Sequence, residues 1–203
     1  MSFTTFKNLG LTACATVLLA GCVSGPQLVP AGKFTAGGPS SLTLDRDWSD
    51  VTKVFSHHAD KVKILSIDGI LLNRLYVSDG LAAADPLTVN SLTGDTTEHP
   101  SAHGHADMSL SEQMEFVSRS VSVLDYQKVE TGNPQPVMVG AVKGIRFEFT
   151  ARTTEGLNMR GLAQAVSSKG LGYYVVYIAP AEYYYDANLK NAVAAMNSVK
   201  LPG

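Results

Sequence analysis

Residues 144–180 read GIRFEFTARTTEGLNMRGLAQAVSSKGLGYYVVYIAP, and this stretch decides the fold. In its first part Ile145, Phe147 and Phe149 alternate with polar residues, which is typical of a strand with one buried and one wet face. Two short segments, TTEG and SSKG, each end in glycine, which accepts the positive φ that such turns often need. The stretch therefore predicts an antiparallel meander of three strands. The predicted strands span 144–153, 157–167 and 171–179.

A helix is predicted to follow this meander. Leu189, Val193 and Met196 recur at helical spacing and would share one face. Asp186 stands at the start of this pattern, and aspartate is a preferred N-cap residue. We therefore expect a closing helix that begins at about Asp186.

The first half of the chain predicts a hairpin. Two apolar runs, 62–67 and 70–77, flank Asp68-Gly69, and Asp-Gly between apolar runs is a strong short-range hairpin signal. We expect Ile64, Leu71 and Leu72 to supply core side chains.

A second helix is predicted around residues 110–124. Ser109 and Glu112 have the spacing of a capping box, which satisfies two amides at a helix start. Apolar residues then recur at steps of four and three, as on one helix face. They are Leu110, Met114, Val117, Val121 and Leu124.

These elements predict an α+β fold, an antiparallel sheet with packed helices that includes a three-strand C-terminal meander followed by a terminal helix. Their order resembles that of the PsbP/Mog1-like families. The resemblance lies in residues 144–199, above all in three hairpin-linked strands, the segment GYYVVYIAP and a helix ending in NSVKL. It implies a central antiparallel sheet covered by helices. It assigns no catalytic residue, because fold does not fix function.

The N-terminus predicts the location of the protein. After Lys7, the apolar run 9–20 is too short to span a bilayer, which takes roughly 20 residues, and is typical of a secretory signal. It ends in Leu19-Ala20-Gly21-Cys22, which resembles the lipobox of bacterial lipoproteins. The resemblance implies cleavage before Cys22 and acylation of that residue. The alternative is an ordinary signal peptide with a chance cysteine.

This resemblance sets the expected domain organisation. Residues 1–21 are the signal peptide, 22–41 are the lipidated cysteine and a flexible tether rich in Gly, Pro and Ser, and 42–203 form a single α+β domain. Val23 after the cysteine favours the outer membrane, with the domain in the periplasm. Cys14 would be lost with the signal and Cys22 used by lipid, which excludes thiol catalysis and cysteine-ligated metal.

The segment EHPSAHGHAD, residues 98–107, is the candidate metal site. Its residues His103 to Asp107 read H-x-H-x-D, which resembles the start of the metallo-β-lactamase signature. Met108 occupies the position of the final histidine in that signature, and no histidine follows His105, so a metal-dependent hydrolase is the weakest hypothesis. The candidate ligands for zinc or another divalent metal are His99, His103, His105 and Asp107. The alternative is an exposed polar loop, with no cofactor in the protein.

The run Tyr183-Tyr184-Tyr185 is the candidate ligand-binding surface, because phenol rings offer stacking area with a polar tip. The alternative is ordinary packing at a strand-to-helix corner. A net charge of −2 without a basic stripe gives no support for nucleic-acid binding.

The sequence thus predicts a lipid-anchored envelope lipoprotein that is a non-catalytic binding or assembly module. Its partner would be an envelope protein or a small ligand, and its contact surface would be the sheet face or the tyrosine corner. The alternative is a metal-binding envelope lipoprotein that uses residues 98–107.

Overall fold

A computed structural model describes residues 25–90, 101–124 and 126–203. Within these ranges eight strands form one sheet, two short strands form a separate hairpin, and two α-helices and one 3-10 helix pack on them. The predicted signal peptide and Cys22 lie outside the described residues. Neither described α-helix has the length and apolar character needed to cross a membrane.

The strands of the large sheet run antiparallel in the order β1-β4-β5-β6-β10-β9-β8-β7. The strands are β1 (Gln27–Val29), β2 (Gly32–Phe34), β3 (Leu42–Leu44), β4 (Trp48–Asp50), β5 (Val62–Ser66), β6 (Arg74–Ser78), β7 (Gln127–Val139), β8 (Val142–Arg152), β9 (Asn158–Ser168) and β10 (Leu171–Pro180). The helices are α1 (Leu110–Ser122), α2 (Tyr184–Asn197) and the 3-10 helix Thr52–Val54. Strands β2 and β3 form the separate hairpin.

The C-terminal meander is confirmed as β8, β9 and β10, followed by α2. Each strand places alternate residues on opposite faces, so each face of the sheet has its own core. On one face Phe147, Tyr174 and Val176 pack with α1 residues such as Phe116. On the other face Leu162, Val175 and Tyr177 pack with α2 and the β2–β3 hairpin. The fold is therefore a sheet with a helix on each face, and the predicted α+β class is confirmed.

The start of α1 is also as predicted. The Ser109 side chain accepts a hydrogen bond from the Glu112 amide, and the Glu112 carboxylate accepts one from the Ser109 amide. The helix buries Val117 and Val121 of the predicted face, while Leu110, Met114 and Leu124 lie at its border.

The predicted flexible tether is wrong from Gln27 onward. Strand β1 pairs with β4 over Gln27–Val29, and β2 pairs with β3 over Gly32–Phe34. Val29 and Phe34 pack into the core on the α2 side, which gives this glycine- and proline-rich stretch enough buried apolar surface to be ordered.

Two local predictions are also wrong. Leu71 is not a core residue, because it lies in a loop of residues 67–73 and is 81% exposed, whereas Ile64 is buried and Leu72 is half-buried. Helix α2 begins at Tyr184, with Tyr183 as its N-cap residue, so Asp186 lies inside the first turn rather than at the cap. There its carboxylate still faces the positive end of the helix dipole.

Strand β7 is an element that the sequence patterns do not predict. It is an edge strand within the described part of the chain, and its pairing with β8 is interrupted by register shifts between Gln127 and Glu130 and between Gly132 and Gln135. Lys128 and Asn133 have positive φ at these two bulges.

Candidate functional site

The polar side of β8 and its neighbours forms the candidate site. Thr150 of β8 pairs with Glu130 of β7 and with Arg160 of β9, so the three side chains lie in one row on the same face. The next polar residue of β8 on this face is Glu148, which accepts a hydrogen bond of 2.9 Å from the Asn133 side chain. We call the face that carries Glu130, Glu148, Thr150 and Arg160 the open face. It is the same face on which α2 packs farther along the sheet, against β9 and β10.

Arg160 connects the open face to the first turn of α2. Its guanidinium carbon lies 4.1 Å from the centre of the Tyr185 ring, and its Nη1 atom lies 3.2 Å from a carboxylate oxygen of Asp186. A guanidinium stacked on an aromatic ring and paired with a carboxylate has few accessible orientations. Arg160 is therefore positioned before any partner arrives.

Two hollows lie beside Arg160. One of about 220 Å³ is lined by residues of β7, β8 and β9, including Asn133 and Glu148. The other, of about 420 Å³, extends past Lys128 and Arg152 to the end of the sheet. Their linings offer cationic, anionic and amide groups but contain neither histidine nor cysteine. This chemistry suits recognition of a polar surface.

The three tyrosines of the predicted platform have different environments. Tyr183 is 75% exposed, Tyr184 is half-buried and Tyr185 is fully buried. The rings of Tyr183 and Tyr184 meet edge to face, with centroids 5.2 Å apart. Tyr183 also has φ of 69° and ψ of −60°, a strained conformation for a residue with a side chain. The triplet therefore presents one ring to solvent, supports it with a second and buries the third.

The buried Tyr185 forms part of the support of the open face. Burial raises the pKa of its phenol to about 12, with the nearby Arg160 charge acting in the opposite direction. Its hydroxyl makes no hydrogen bond with any described residue. Its ring also contacts Tyr177 at 5.6 Å between centroids, and the Tyr177 hydroxyl donates to the carbonyl oxygen of Tyr184 at 2.9 Å. The corner is thus held by the tilted Tyr177–Tyr185 ring pair and by hydrogen bonds from the Tyr177 hydroxyl to the carbonyl oxygens of Tyr184 and Tyr185.

Three exposed apolar side chains occur together at one end of the sheet. Arg74 pairs with Ile178, and Pro180 pairs with Met159, so loops 67–73, 153–157 and 181–183 emerge side by side. We call these three loops the loop end. Each carries an exposed apolar residue, and these residues are Leu71 (81% exposed), Leu157 (43%) and Tyr183 (75%).

Loop 67–73 of the loop end is held to the rest of the domain by a partly buried polar network. The Asn73 side-chain oxygen accepts from the Ile67 amide at 2.8 Å, and its amide donates to Asp68 at 2.8 Å. The same carboxylate oxygen of Asp68 accepts from the Asn188 side chain of α2 at 2.6 Å. Because these bonds fix loop 67–73 against α2, Leu71 is presented on an ordered loop, which lowers the entropy lost when a partner binds.

The predicted metal ligands are only partly within the described residues. His103, His105 and Asp107 are exposed, and no group of three or more histidine, cysteine, aspartate or glutamate side chains in the described ranges is arranged to hold a metal ion. His99 lies outside the described residues. The Nε2 atom of His105 lies 3.3 Å from a Glu112 oxygen, and its Nδ1 atom lies 2.8 Å from the Ala106 carbonyl oxygen. These contacts raise the pKa of His105, mainly through the Ala106 carbonyl. The metal site stays a prediction.

Sequence reasoning did not find Arg160, Glu148 or the loop end. The available signal was the alternation in β8, which puts Glu148 on the polar side of that strand, and the charge of Arg160 near the start of β9. Glu148 and Arg160 adjoin the tyrosine corner because of the strand register, which the sequence does not show.

Comparison with known proteins gives a structural likeness. No protein-family model matches the chain, and no curated protein matches its sequence. The solution structure of cyanobacterial PsbP (CyanoP) from Synechocystis sp. PCC 6803 aligns with a TM-score of 0.52 at 14% identity, covering 89% of this chain and 96% of that one. The fold is PsbP-like. The Ran-binding protein Mog1p of Saccharomyces cerevisiae aligns with a TM-score of 0.47 at 10% identity, covering 88% of this chain and 85% of that one. The alignment with CyanoP therefore confirms the PsbP-like fold expected from the C-terminal sequence, and it extends over most of the chain.

Proposed function

We propose that this protein is a lipid-anchored, non-catalytic binding or assembly module of the bacterial envelope, whose partner is another envelope protein. The observation that carries the proposal is the contact of Arg160 with Tyr185 and Asp186. This contact joins the polar open face to the tyrosine corner, so the two candidate surfaces form one continuous, ordered surface.

The composition of this surface suits a protein partner. Interfaces between proteins typically have an apolar and aromatic centre, with tyrosine and arginine as frequent energetic anchors and a polar rim. Here Tyr183, Leu71 and Leu157 supply exposed apolar area at the loop end. The open face supplies charged groups of both signs next to it.

The lipid anchor is proposed from residues 19–22, which resemble a lipobox. The outer membrane is proposed from Val23, by the resemblance described above. Attachment through Cys22 would keep the domain at a membrane surface, where a partner in the same envelope is met at high local concentration.

The partner surface is tested by photo-crosslinking in cells. A photoreactive phenylalanine analogue replaces Tyr183, Leu71 or, as the control, Met138, which is 60% exposed in β7 near the opposite end of the sheet. We expect a discrete protein adduct from positions 183 and 71 and none from position 138. Equal labelling from all three positions, or none from any, would refute a partner surface at the loop end.

The anchor is tested with two matched cysteine variants. We expect Cys22→Ala to lose incorporation of labelled palmitate and to leave the membrane fraction, whereas Cys14→Ala keeps both, because Cys14 lies within the predicted signal. Retention of label by Cys22→Ala would refute the anchor without affecting the partner surface.

A further inference from the structure

The length of chain between the anchor and the fold limits how the domain can be placed on a membrane. Strand β1 begins at Gln27, about five residues after Cys22. A fully extended chain covers at most ~3.3–3.6 Å per residue, so Gln27 lies within about 18 Å of the lipidated residue. This step rests on the proposed lipidation. A flexible tether reaching to residue 41 would have left the domain free to turn, but pairing of β1 with β4 removes that freedom.

The sheet edge that directly follows this short connection, strand β1, carries exposed apolar side chains together with the nearby 3-10 helix. In the described sheet, β1 is the end strand opposite β7, and its central residue Leu28 is 71% exposed. Val29 packs toward the α2 side, so by strand alternation Leu28 points to the other side. That is the side on which the 3-10 helix lies, since its neighbour Val51 packs in the α1-side core. The 3-10 helix carries Val54, which is 39% exposed.

The charges at this edge suit an anionic lipid surface. Lys53 is exposed in the 3-10 helix beside Val54, and Lys33 is exposed in β2, just after the turn that follows β1. Of the carboxylates near this edge, that of Asp50 is paired with Lys63 at 3.5 Å, and that of Asp47 accepts a hydrogen bond from the Ala31 amide at 2.9 Å. Basic side chains next to a lipid anchor strengthen attachment through lipid phosphates.

We propose that the β1 edge, defined by Leu28, Lys53 and Val54, lies against the lipid surface of the membrane that holds the anchor. Leu28 and Val54 enter the headgroup region, and Lys53 contacts lipid phosphates. Neighbouring strands are about 4.8 Å apart, so the open face on β7, β8 and β9 lies roughly 25–35 Å across the sheet from this edge. The proposal therefore orients the domain, because the membrane takes the β1 edge and leaves the open face on the aqueous side, while loop 67–73, which follows Ser66 two strands from Leu28, lies between them.

The orientation is tested by placing one environment-sensitive fluorophore at a time on the full lipidated chain. Apart from Cys22, which carries lipid, the chain after the signal has no cysteine, so Leu28→Cys, Val54→Cys and the control Met138→Cys are each labelled at one site. All three positions are exposed, so the substitutions leave the core intact. The labelled proteins are reconstituted in vesicles of phosphatidylethanolamine and phosphatidylglycerol, with and without doxyl-labelled lipid.

We expect blue-shifted emission at positions 28 and 54, with at least twofold stronger quenching by doxyl lipid than at position 138. Equal quenching at all three positions in protein that floats with the vesicles would overturn the edge contact and leave the anchor standing. Failure to float would overturn the anchor and this inference with it. A blue shift at position 28 that is already present in soluble chain beginning at Ser24, without vesicles, would assign the edge to a second copy and also overturn the proposal.

Discussion

The hydroxyl groups of Tyr177 and Tyr185, two buried tyrosines that contact each other, allow a direct test of the hydrogen bonding at the tyrosine corner. Tyr177 and Tyr185 are both fully buried, and their ring centroids are 5.6 Å apart. The Tyr177 hydroxyl donates to backbone carbonyl oxygens of Tyr184 and Tyr185, at 2.9 and 3.2 Å. The Tyr185 hydroxyl has no partner among the described residues. Replacing each with phenylalanine removes one oxygen atom and leaves the ring packing unchanged.

The expected effects have opposite signs. A buried hydroxyl without a partner costs about 1–3 kcal/mol of desolvation, so Tyr185→Phe should raise the free energy of unfolding by about 1 kcal/mol or more. Tyr177→Phe loses a hydrogen bond worth about 0.5–1.5 kcal/mol and should lower the free energy of unfolding by that amount. For a domain of this size, 1 kcal/mol corresponds to a change in Tm of about 2–4 °C.

The assay is thermal and urea unfolding of the soluble domain, followed by circular dichroism, with the m-value checked to be constant. Both variants should keep the same m-value, because the area exposed on unfolding hardly changes. If Tyr185→Phe proves as destabilising as Tyr177→Phe, the Tyr185 hydroxyl has a hydrogen-bond partner in the folded protein, and an unpaired hydroxyl at this corner is refuted. A stabilised Tyr185→Phe variant with weaker partner crosslinking would show that this hydroxyl is kept for binding at a cost in stability.

Two further predictions concern the core and the histidine loop. A methyl group added at Gly161 would lie 2.0 Å from the Phe149 ring, so Gly161→Ala should lower the free energy of unfolding by about 1–3 kcal/mol. The control is Gly132→Ala, which has open space around the added methyl group and should have little effect in the same urea titration. The raised pKa of His105 depends partly on Glu112, so Glu112→Gln, which keeps the capping box, should lower the His105 titration midpoint measured by NMR, and an unchanged midpoint would contradict the contact. Since the folded pKa is raised, the stabilisation from this contact is present at pH values below the ordinary histidine pKa and is lost as the pH rises through the raised value.

Much of the C-terminal half could be predicted from the sequence because its periodic segments are long. Strands β8 to β10 each span ten or more residues, and α1 has both a capping box and a repeated apolar face. Such patterns average over many positions, so a single exception does not hide them. The predicted strand bounds of the meander lie within two residues of those in the structure.

The elements that were missed are short or irregular. Strands β1 and β2 have three residues each, too few to show a period, and they lie among glycine and proline. Strand β7 contains Gly132 and Pro136, residues that argue against a central strand and are tolerated at a bulged edge. Whether a segment lies at an edge depends on the whole sheet, so local sequence could not reveal it.

The candidate site could be predicted only in part, because it depends on where α2 starts. The sequence draws attention to the tyrosine triplet, but a helix beginning at Tyr184 turns each successive side chain by about 100°, so the three rings cannot form one platform. The partner of Tyr185 is Arg160, which is 25 positions earlier in the chain. Contacts of this kind depend on strand register and helix position, so they cannot be predicted from the spacing of residues in the sequence.

The bulges and prolines of strand β7 affect whether other chains can add strands to that edge of the sheet. An exposed strand edge is a template on which other chains can add strands, and this leads to aggregation. Pro134 and Pro136 lack the amide hydrogens that an incoming strand would need, and the bulges at Lys128 and Asn133 bend the edge out of a straight line. Strand β7 therefore disfavours the addition of a further strand at that edge of the described sheet, without a helix or loop covering it.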